Sequence, residues 1–207
     1  MANVSRPKGL VPVGYLGGSS WNGQARIYYV PVGNATALYV GDPVTRLTAD
    51  GDANGIPSVS IGVAGSAVCG VIVGVLPTYP GVSLVGSSID LTRRSLPVST
   101  AGYVLVADDP NILFEIQEGT GTAGATGTAL TVSAIGNNAN FVIDAGATTY
   151  SDSGTVLDNA TEATTATLNL KIMGLAQRED NAFGNYAKWI VKINNHQYGS
   201  STGTAGV

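Results

Sequence analysis

Residues 168–173 (LNLKIM) and 186–198 (YAKWIVKINNHQY), separated by a polar interval, decide the fold. Apolar and polar side chains alternate in both runs, and a period of two over about six residues is typical of a strand with one buried face. The interval contains Gly174, Arg178 and Asp180, which suit an exposed connection. The chain therefore ends in a predicted hairpin whose apolar face other strands must cover. This face consists of Leu168, Leu170, Ile172, Trp189, Val191 and Ile193.

The composition favours many short strands over helices. Of the 207 residues, 44% are hydrophobic, 12% are charged and 28 are glycines. Glycine-rich, weakly charged sequences with abundant threonine and valine favour strands and tight turns. We therefore predict a single all-β domain at residues 25–198, an antiparallel β-sandwich or barrel that is jelly-roll-like. The pattern does not fix whether the domain is a jelly roll or a smaller barrel.

Charge and hydropathy argue against nucleic-acid and membrane partners. The net charge of −4 does not suit a phosphate-neutralising surface. Residues 56–76 are numerous enough to cross a bilayer, but they contain Pro57 and several glycines and serines. We interpret them as two buried strands, at residues 58–63 and 70–76. The single cysteine, Cys69, is expected to be a core residue.

Local turn signals predict two further hairpins. A Gly-Asn pair separates residues 27–32 from residues 37–40, and an Asp-Asp-Pro-Asn turn separates residues 103–107 from residues 112–117. Apolar runs divided by such turns are typical of adjacent antiparallel strands. One more strand is predicted at residues 141–143.

Both ends of the chain are predicted to lie outside the domain. Residues 1–24 combine prolines and glycines, which oppose regular structure, with apolar residues that do not suit a solvated tail. Two interpretations stay open, an extended arm that lies on a neighbouring subunit or an irregular segment packed on its own domain. Residues 199–207 (GSSTGTAGV) predict a flexible tail. The residues expected to anchor the arm to a partner are Leu10, Pro12, Tyr15 and Trp21.

Three patterns resemble chemical sites, and each has an ordinary structural interpretation. Residues 50–55 match the first half of a calcium loop, but Ile61 stands where such a loop needs its bidentate glutamate. Residues 119–124 spell G-x-G-x-x-G without the helical pattern that a dinucleotide site needs next. His196 is the only imidazole, and no nucleophile elbow or metal-ligand spacing accompanies it. We predict no catalytic residue, no metal or cofactor site and no small-molecule substrate.

Several patches resemble a known family. They are residues 21–30 (WNGQARIYYV), 37–44 (ALYVGDPV), 106–117 (VADDPNILFEIQ), 170–175 (LKIMGL) and 189–196 (WIVKINNH). These strand and turn sequences are similar to those of a class of tailed-bacteriophage capsid decoration (cement) proteins. The resemblance implies a β-rich domain, usually trimeric, on the outer surface of an icosahedral shell, with an N-terminal arm that holds the major capsid protein.

The leading hypothesis is therefore a viral structural protein that stabilises contacts between capsomers of the major capsid protein. A head-fibre or glycan-binding β module on the virion surface is the alternative, and an enzyme is the third possibility. The leading hypothesis depends on contact area and on a leader that becomes ordered only on a companion molecule. It fails if the isolated protein is a compact monomer whose first twenty residues are already folded against its own sheet.

Overall fold

The structure, a computed structural model, describes residues 3–76, 94–121, 125–144 and 152–207. Within these ranges the chain forms fourteen strands and one 3-10 turn, Val132–Ala134, so the all-β prediction is confirmed. The strands are β1 Val11–Tyr15, β2 Arg26–Val30, β3 Leu38–Tyr39, β4 Pro43–Gly51, β5 Pro57–Ile61, β6 Gly70–Leu76, β7 Ser95–Leu96, β8 Gly102–Ala107, β9 Ile112–Gly119, β10 Asn138–Ala139, β11 Phe141–Val142, β12 Val156–Asp158, β13 Leu170–Leu175 and β14 Lys188–Ile193.

Five strands close into a small barrel in the order β2-β5-β4-β6-β8. Neighbours run antiparallel except β2 and β5, which pair in parallel with Tyr29 opposite Ser58. Alternate side chains point inward because successive residues of a strand face opposite sides. The barrel core contains Tyr28, Val30, Val44, Val59, Cys69, Ile72, Val104 and Val106.

A second sheet has the order β10-β13-β14-β9-β12-β11, with β1 beside the first half of β9. Its two end strands, β10 and β11, are consecutive in the chain and only Asn140 separates them. The sheet therefore curls until its ends nearly meet and encloses a second core. The architecture is thus a small closed barrel beside a nearly closed sheet. The largest side chains of the second core are Trp189, Phe114, Phe141, Ile112, Ile116, Leu157 and Leu170.

The C-terminal hairpin is confirmed as β13 and β14, which pair antiparallel with Leu170 opposite Ile193. On its other side β14 pairs with β9, so that Trp189 lies in the middle of the sheet and is fully buried. A bulge interrupts the register between Ile172 and Gly174. The residue at the bulge, Met173, is exposed because a bulge inserts an unpaired residue and redirects its side chain.

The two other predicted hairpins have the right strands but the wrong partners. Strand β2 pairs with β8 and β5, whereas β3 pairs with β7. Strand β8 lies in the small barrel, whereas β9 belongs to the second sheet. The turn at residues 108–111 therefore carries the chain from one body to the other. Hydrophobic periodicity specifies which face of a strand is buried, and it does not specify which strand lies beside it.

Residues 56–76 divide as predicted into two strands, β5 and β6. The predicted strand at residues 141–143 is β11. In the ranges that the structure describes, none of the helices is long and apolar enough to span a membrane.

Residues 3–24 and 199–207 make contacts with the domain, whereas the sequence predicted a separate arm and a flexible tail with boundaries at residues 24 and 199. Strand β1 pairs antiparallel with β9, and Leu10 lies in the second core. At the other end, the N–H of Thr204 donates to Asn194 Oδ1 at 2.9 Å, and the N–H of Gly206 donates to the carbonyl of Thr164 at 2.9 Å. Glycine-rich composition did not prevent order here because the polar backbone of both segments finds partners on the domain.

Gly41 is the point where the N-terminal segment meets the small barrel. Its φ is +100°, and a Cβ there would lie 2.2 Å from the carbonyl oxygen of Lys8. Gly55 has a φ of +82° and open space around its Cα, which makes it a matched control. We expect Gly41→Ala to lower the free energy of unfolding by at least about 2 kcal/mol more than Gly55→Ala, because only the first adds a clash to the backbone strain.

Urea denaturation followed by tryptophan fluorescence measures both losses. Equal destabilisation by the two variants would contradict the close approach of Lys8 to Gly41.

Candidate functional site

The N-terminal segment, residues 3–21, is tied to the domain from its first described residue. The side chain of Asn3 pairs reciprocally with the backbone of Ala182, donating to its carbonyl at 2.7 Å and accepting from its N–H at 3.1 Å. The N–H of Arg6 donates to Gln117 Oε1 at 2.7 Å. The segment is therefore held by the loop before β14 and by β9 before β1 begins.

After β1 the segment folds back on itself. The N–H of Tyr15 donates to the carbonyl of Ser19 at 2.8 Å, and the N–H of Trp21 donates to the carbonyl of Val13 at 3.3 Å. These bonds place residues 19–21 alongside β1, on the side away from β9. The segment is thus a short hairpin docked at the second sheet.

The four predicted contact residues lie on this hairpin or beside it, but they mainly face the protein itself. Leu10 is only 1% exposed, so it does not reach a partner. Pro12 and Trp21 are half-buried and line, with Leu10, a cavity of about 330 Å³. Tyr15 lines a separate pocket, and its hydroxyl donates to Asn22 Oδ1 at 3.1 Å. The structure brings three of the four together, as the wall of a cavity.

Other apolar residues of the segment are more exposed. Val11 is 38% exposed, although it also lines the cavity of Leu10, Pro12 and Trp21, while Val13 is 41% exposed and Leu16 is 50% exposed; we call these three residues the outer face. Sequence reasoning missed them. The signal was the alternation around Pro12, but proline and glycine obscured the strand to which it belongs.

Two buried carboxyl groups link elements of the fold. Glu118, on β9, is 1% exposed, and its Oε2 accepts the indole N–H of Trp189 at 2.8 Å. Burial raises the pKa of Glu118 to about 7, against the opposing effect of that hydrogen bond. Asp42 accepts the hydroxyls of Ser153 and Thr155. Burial raises the pKa of Asp42 to about 6, and these hydrogen bonds limit the rise.

A third polar cluster surrounds the hydroxyl of Tyr28, inside one end of the small barrel. This hydroxyl donates to Asp108 Oδ2 at 2.7 Å and lies 3.0 Å from the hydroxyl of Tyr198. Burial, followed by the hydrogen bonds to Tyr198 and Asp108, raises the pKa of Tyr28 far above its ordinary value. Arg26 Nη1 approaches Asp108 Oδ2 at 3.5 Å. The cluster fixes the position of Tyr198 at the surface.

His196 occupies a structural position. It is 1% exposed, and its Nδ1 accepts the N–H of Tyr198 at 3.1 Å. Burial lowers the pKa of His196 to about 4, so the imidazole is neutral near pH 7. A general base has to reach the proton that it removes, and this ring is enclosed.

The other chemical patterns also have structural explanations. The carboxylate of Asp52 accepts the N–H groups of Asn54 and Ile56 and the hydroxyl of Tyr103, as in an Asx turn. Burial raises the pKa of the Cys69 thiol to about 12. Within the described ranges, no three His, Cys, Asp or Glu side chains are placed to hold a metal ion.

The glycine-rich G-x-G-x-x-G pattern lies only partly within the described residues. Its first glycine, Gly119, ends β9, and residues 122–124 lie outside the described ranges. Residues 125–130 do not form a helix, so the N-terminus that a dinucleotide site needs is not found in that part of the chain.

We found no match to this chain among protein-family models, curated proteins or solved structures.

The raised pKa of Glu118 makes stability depend on pH. A carboxyl whose pKa is about 7 when folded, against an ordinary value of 4.5, contributes most to the free energy of unfolding below pH 4.5 and loses that contribution as the pH rises through 7. The shifted pKa values of Asp42 and His196 change the free energy of unfolding mainly below about pH 6.5. We therefore expect the free energy of unfolding to fall by on the order of 1 kcal/mol between pH 6.5 and 8, and Glu118→Gln to remove this fall.

Denaturant unfolding at several pH values measures this slope. Glu179→Gln, at an exposed position, is the control and keeps the wild-type profile. A Glu118→Gln profile parallel to that of the wild type would show that Glu118 is not the titrating group.

Proposed function

We propose that the protein is a viral structural protein, a capsid decoration (cement) protein. It binds the outer surface of an icosahedral head as a homotrimer and stabilises contacts between capsomers of the major capsid protein. The observation that carries the proposal is the outer face, three exposed apolar side chains on the N-terminal hairpin that pairs with β9. The similarity of the strand and turn sequences to decoration proteins supplies the class of partner.

The N-terminal hairpin is already folded on the domain, and this changes the binding mechanism that the sequence suggested. A leader that becomes ordered only on a companion molecule is wrong for residues 3–21, because β1 and Leu10 are part of the domain's own sheet and core. The proposed contact therefore uses a surface that is already formed. Binding through such a surface does not carry the entropic cost of ordering a flexible arm.

Low charge supports a function based on contact area. Only 12% of the residues are charged, and the outer face consists of Val11, Val13 and Leu16. A specific interface buries on the order of 1,000 Å² or more, so the outer face would form the apolar centre of a larger contact. In a trimer three such contacts engage together, and the effective concentration of the second and third makes modest single contacts durable.

Val13→Asp tests the outer face. We expect it to weaken binding to decoration-free heads of the phage that carries this protein by at least about tenfold, because a charge would be desolvated against an apolar partner. Its free energy of unfolding should change by less than about 1 kcal/mol, since Val13 is 41% exposed. Cosedimentation with purified heads measures binding.

Val132→Asp is the matched control, because Val132 is 68% exposed on the 3-10 turn, outside the N-terminal hairpin. Equal binding by the Val13→Asp, Val132→Asp and wild-type proteins would refute the role of the outer face. Deletion of residues 2–20 is a poorer test than Val13→Asp, because it also removes β1 and Leu10 from the fold.

A further inference from the structure

Two pockets share Tyr198, in the segment that follows β14. The first has a volume of about 240 Å³ and contains Gln24, Arg26, Asp108 and Asp109 in its wall. The second has a volume of about 320 Å³, and its wall includes Arg46, Thr48 and Ser201. Tyr198 belongs to both walls and is 41% exposed. Because both pockets border this aromatic side chain, we treat the two together as one groove.

The position of Tyr198 is fixed before any ligand arrives. Its hydroxyl lies 3.0 Å from the hydroxyl of the buried Tyr28, and its N–H donates to His196 Nδ1 at 3.1 Å. An exposed aromatic side chain that is held from below loses little freedom when a ligand packs on it. Tyr198 is thus suited to be a binding platform.

The first pocket offers closely spaced acceptors and donors. The Asp108 carboxylate is buried and held by Tyr28, and Arg26 reaches to 3.5 Å from it while its side chain stays 70% exposed. Asp109 adds an exposed carboxylate whose Oδ1 accepts the N–H of Asn111. Acidic groups repel a phosphate chain, and the shortage of apolar lining does not suit a hydrocarbon. Alternating donors and acceptors suit a ligand with neighbouring hydroxyl groups, each of which donates and accepts.

The second pocket is less polar than the first, because Leu47 and Ala67 also line it, and it adds the Arg46 side chain. Gln197 holds the edge of β4 there, accepting the N–H of Arg46 at 2.7 Å and donating to its carbonyl at 3.3 Å. The hydroxyls of Thr48 and Ser201 line the same pocket. An anionic substituent on the ligand would find the Arg46 guanidinium at this end of the groove.

The geometry points to a saccharide-binding groove, a function beyond the proposed capsid contact. One sugar unit occupies the pocket of Asp108 and Asp109, a neighbouring unit occupies the pocket of Arg46, and the apolar face of a ring packs on Tyr198. Acidic oligosaccharides bind more tightly than neutral ones of the same length because of Arg46. A decoration protein with this groove would also attach its virion weakly to surface polysaccharides.

The experiment uses the full-length protein on an array of neutral and acidic bacterial surface oligosaccharides, followed by calorimetric titration with the strongest binder. We expect Tyr198→Ala to weaken that binding by at least about tenfold. Tyr198→Phe keeps the ring and should stay within about threefold of the wild type. Phe183→Ala removes an aromatic side chain that is 49% exposed elsewhere, and it should leave binding unchanged.

Two further variants separate the pockets. Arg46→Gln should reduce the affinity for acidic oligosaccharides to that for neutral ones, and Asp109→Asn should weaken both. The fold of each variant is checked by its thermal transition. No binding anywhere on the array, or equal binding by the Tyr198→Ala and wild-type proteins, would overturn the proposal. Cosedimentation of Tyr198→Ala with heads reports capsid binding separately, so failure of one proposal is distinguishable from failure of the other.

Discussion

Hydrogen bonds from a buried side-chain amide and from a neighbouring backbone carbonyl hold the two β bodies together. Asn169, fully buried just before β13, accepts the N–H of Gly65 at 2.6 Å and donates to the carbonyl of Ser66 at 2.7 Å. Just after β14, the backbone carbonyl of Asn195 accepts the N–H of Val68 at 3.0 Å. The residue before β13 and the residues after β14, at the open end of the C-terminal hairpin, thus hold the same loop of the small barrel. Because an unpaired buried polar group costs about 1–3 kcal/mol, this amide network fixes how the two cores face each other.

The N-terminal segment adds a second connection across the same seam. The side chain of Leu10 packs in the core of the second sheet, while its N–H donates to the carbonyl of Gly41 at 2.9 Å, at the start of the small barrel's β4. Gly41 in turn donates to the carbonyl of Ile72 at 2.8 Å. A segment with these partners is part of the fold, and the outer face inherits the rigidity of both bodies.

The sequence predicted burial much better than it predicted pairing. The alternation in residues 168–173 and 186–198 identified Leu170, Trp189 and Val191 as core residues, since the period of a strand is a local property. The partners of β2 and β8 depend on barrel closure, which brings together residues far apart in the chain and leaves no local signal. For the same reason both ends were assigned to the solvent or to a partner. Their position depends on side-chain amides such as that of Asn194. Its hydrogen bonds to Thr204 form only when the intervening residues fold back, although the two residues are near in sequence.

The same contrast between local pattern and nonlocal pairing holds for the candidate site. Composition identified the N-terminal segment as apolar and important, but the direction of each side chain depended on a strand that Pro12 and Gly14 concealed. Once β1 lies on β9, Leu10 is in the core and Val11 and Val13 remain partly exposed. For the proposed capsid contact, this exchanges a flexible arm for a fixed patch. A flexible arm gains reach at the cost of ordering entropy, roughly 1–2 kcal/mol per residue, whereas a fixed patch is free of that cost but requires the capsid surface to match its shape. Affinity would then come from complementarity and from the number of copies engaged at once, and the same rigidity holds Tyr198 in place between its two pockets.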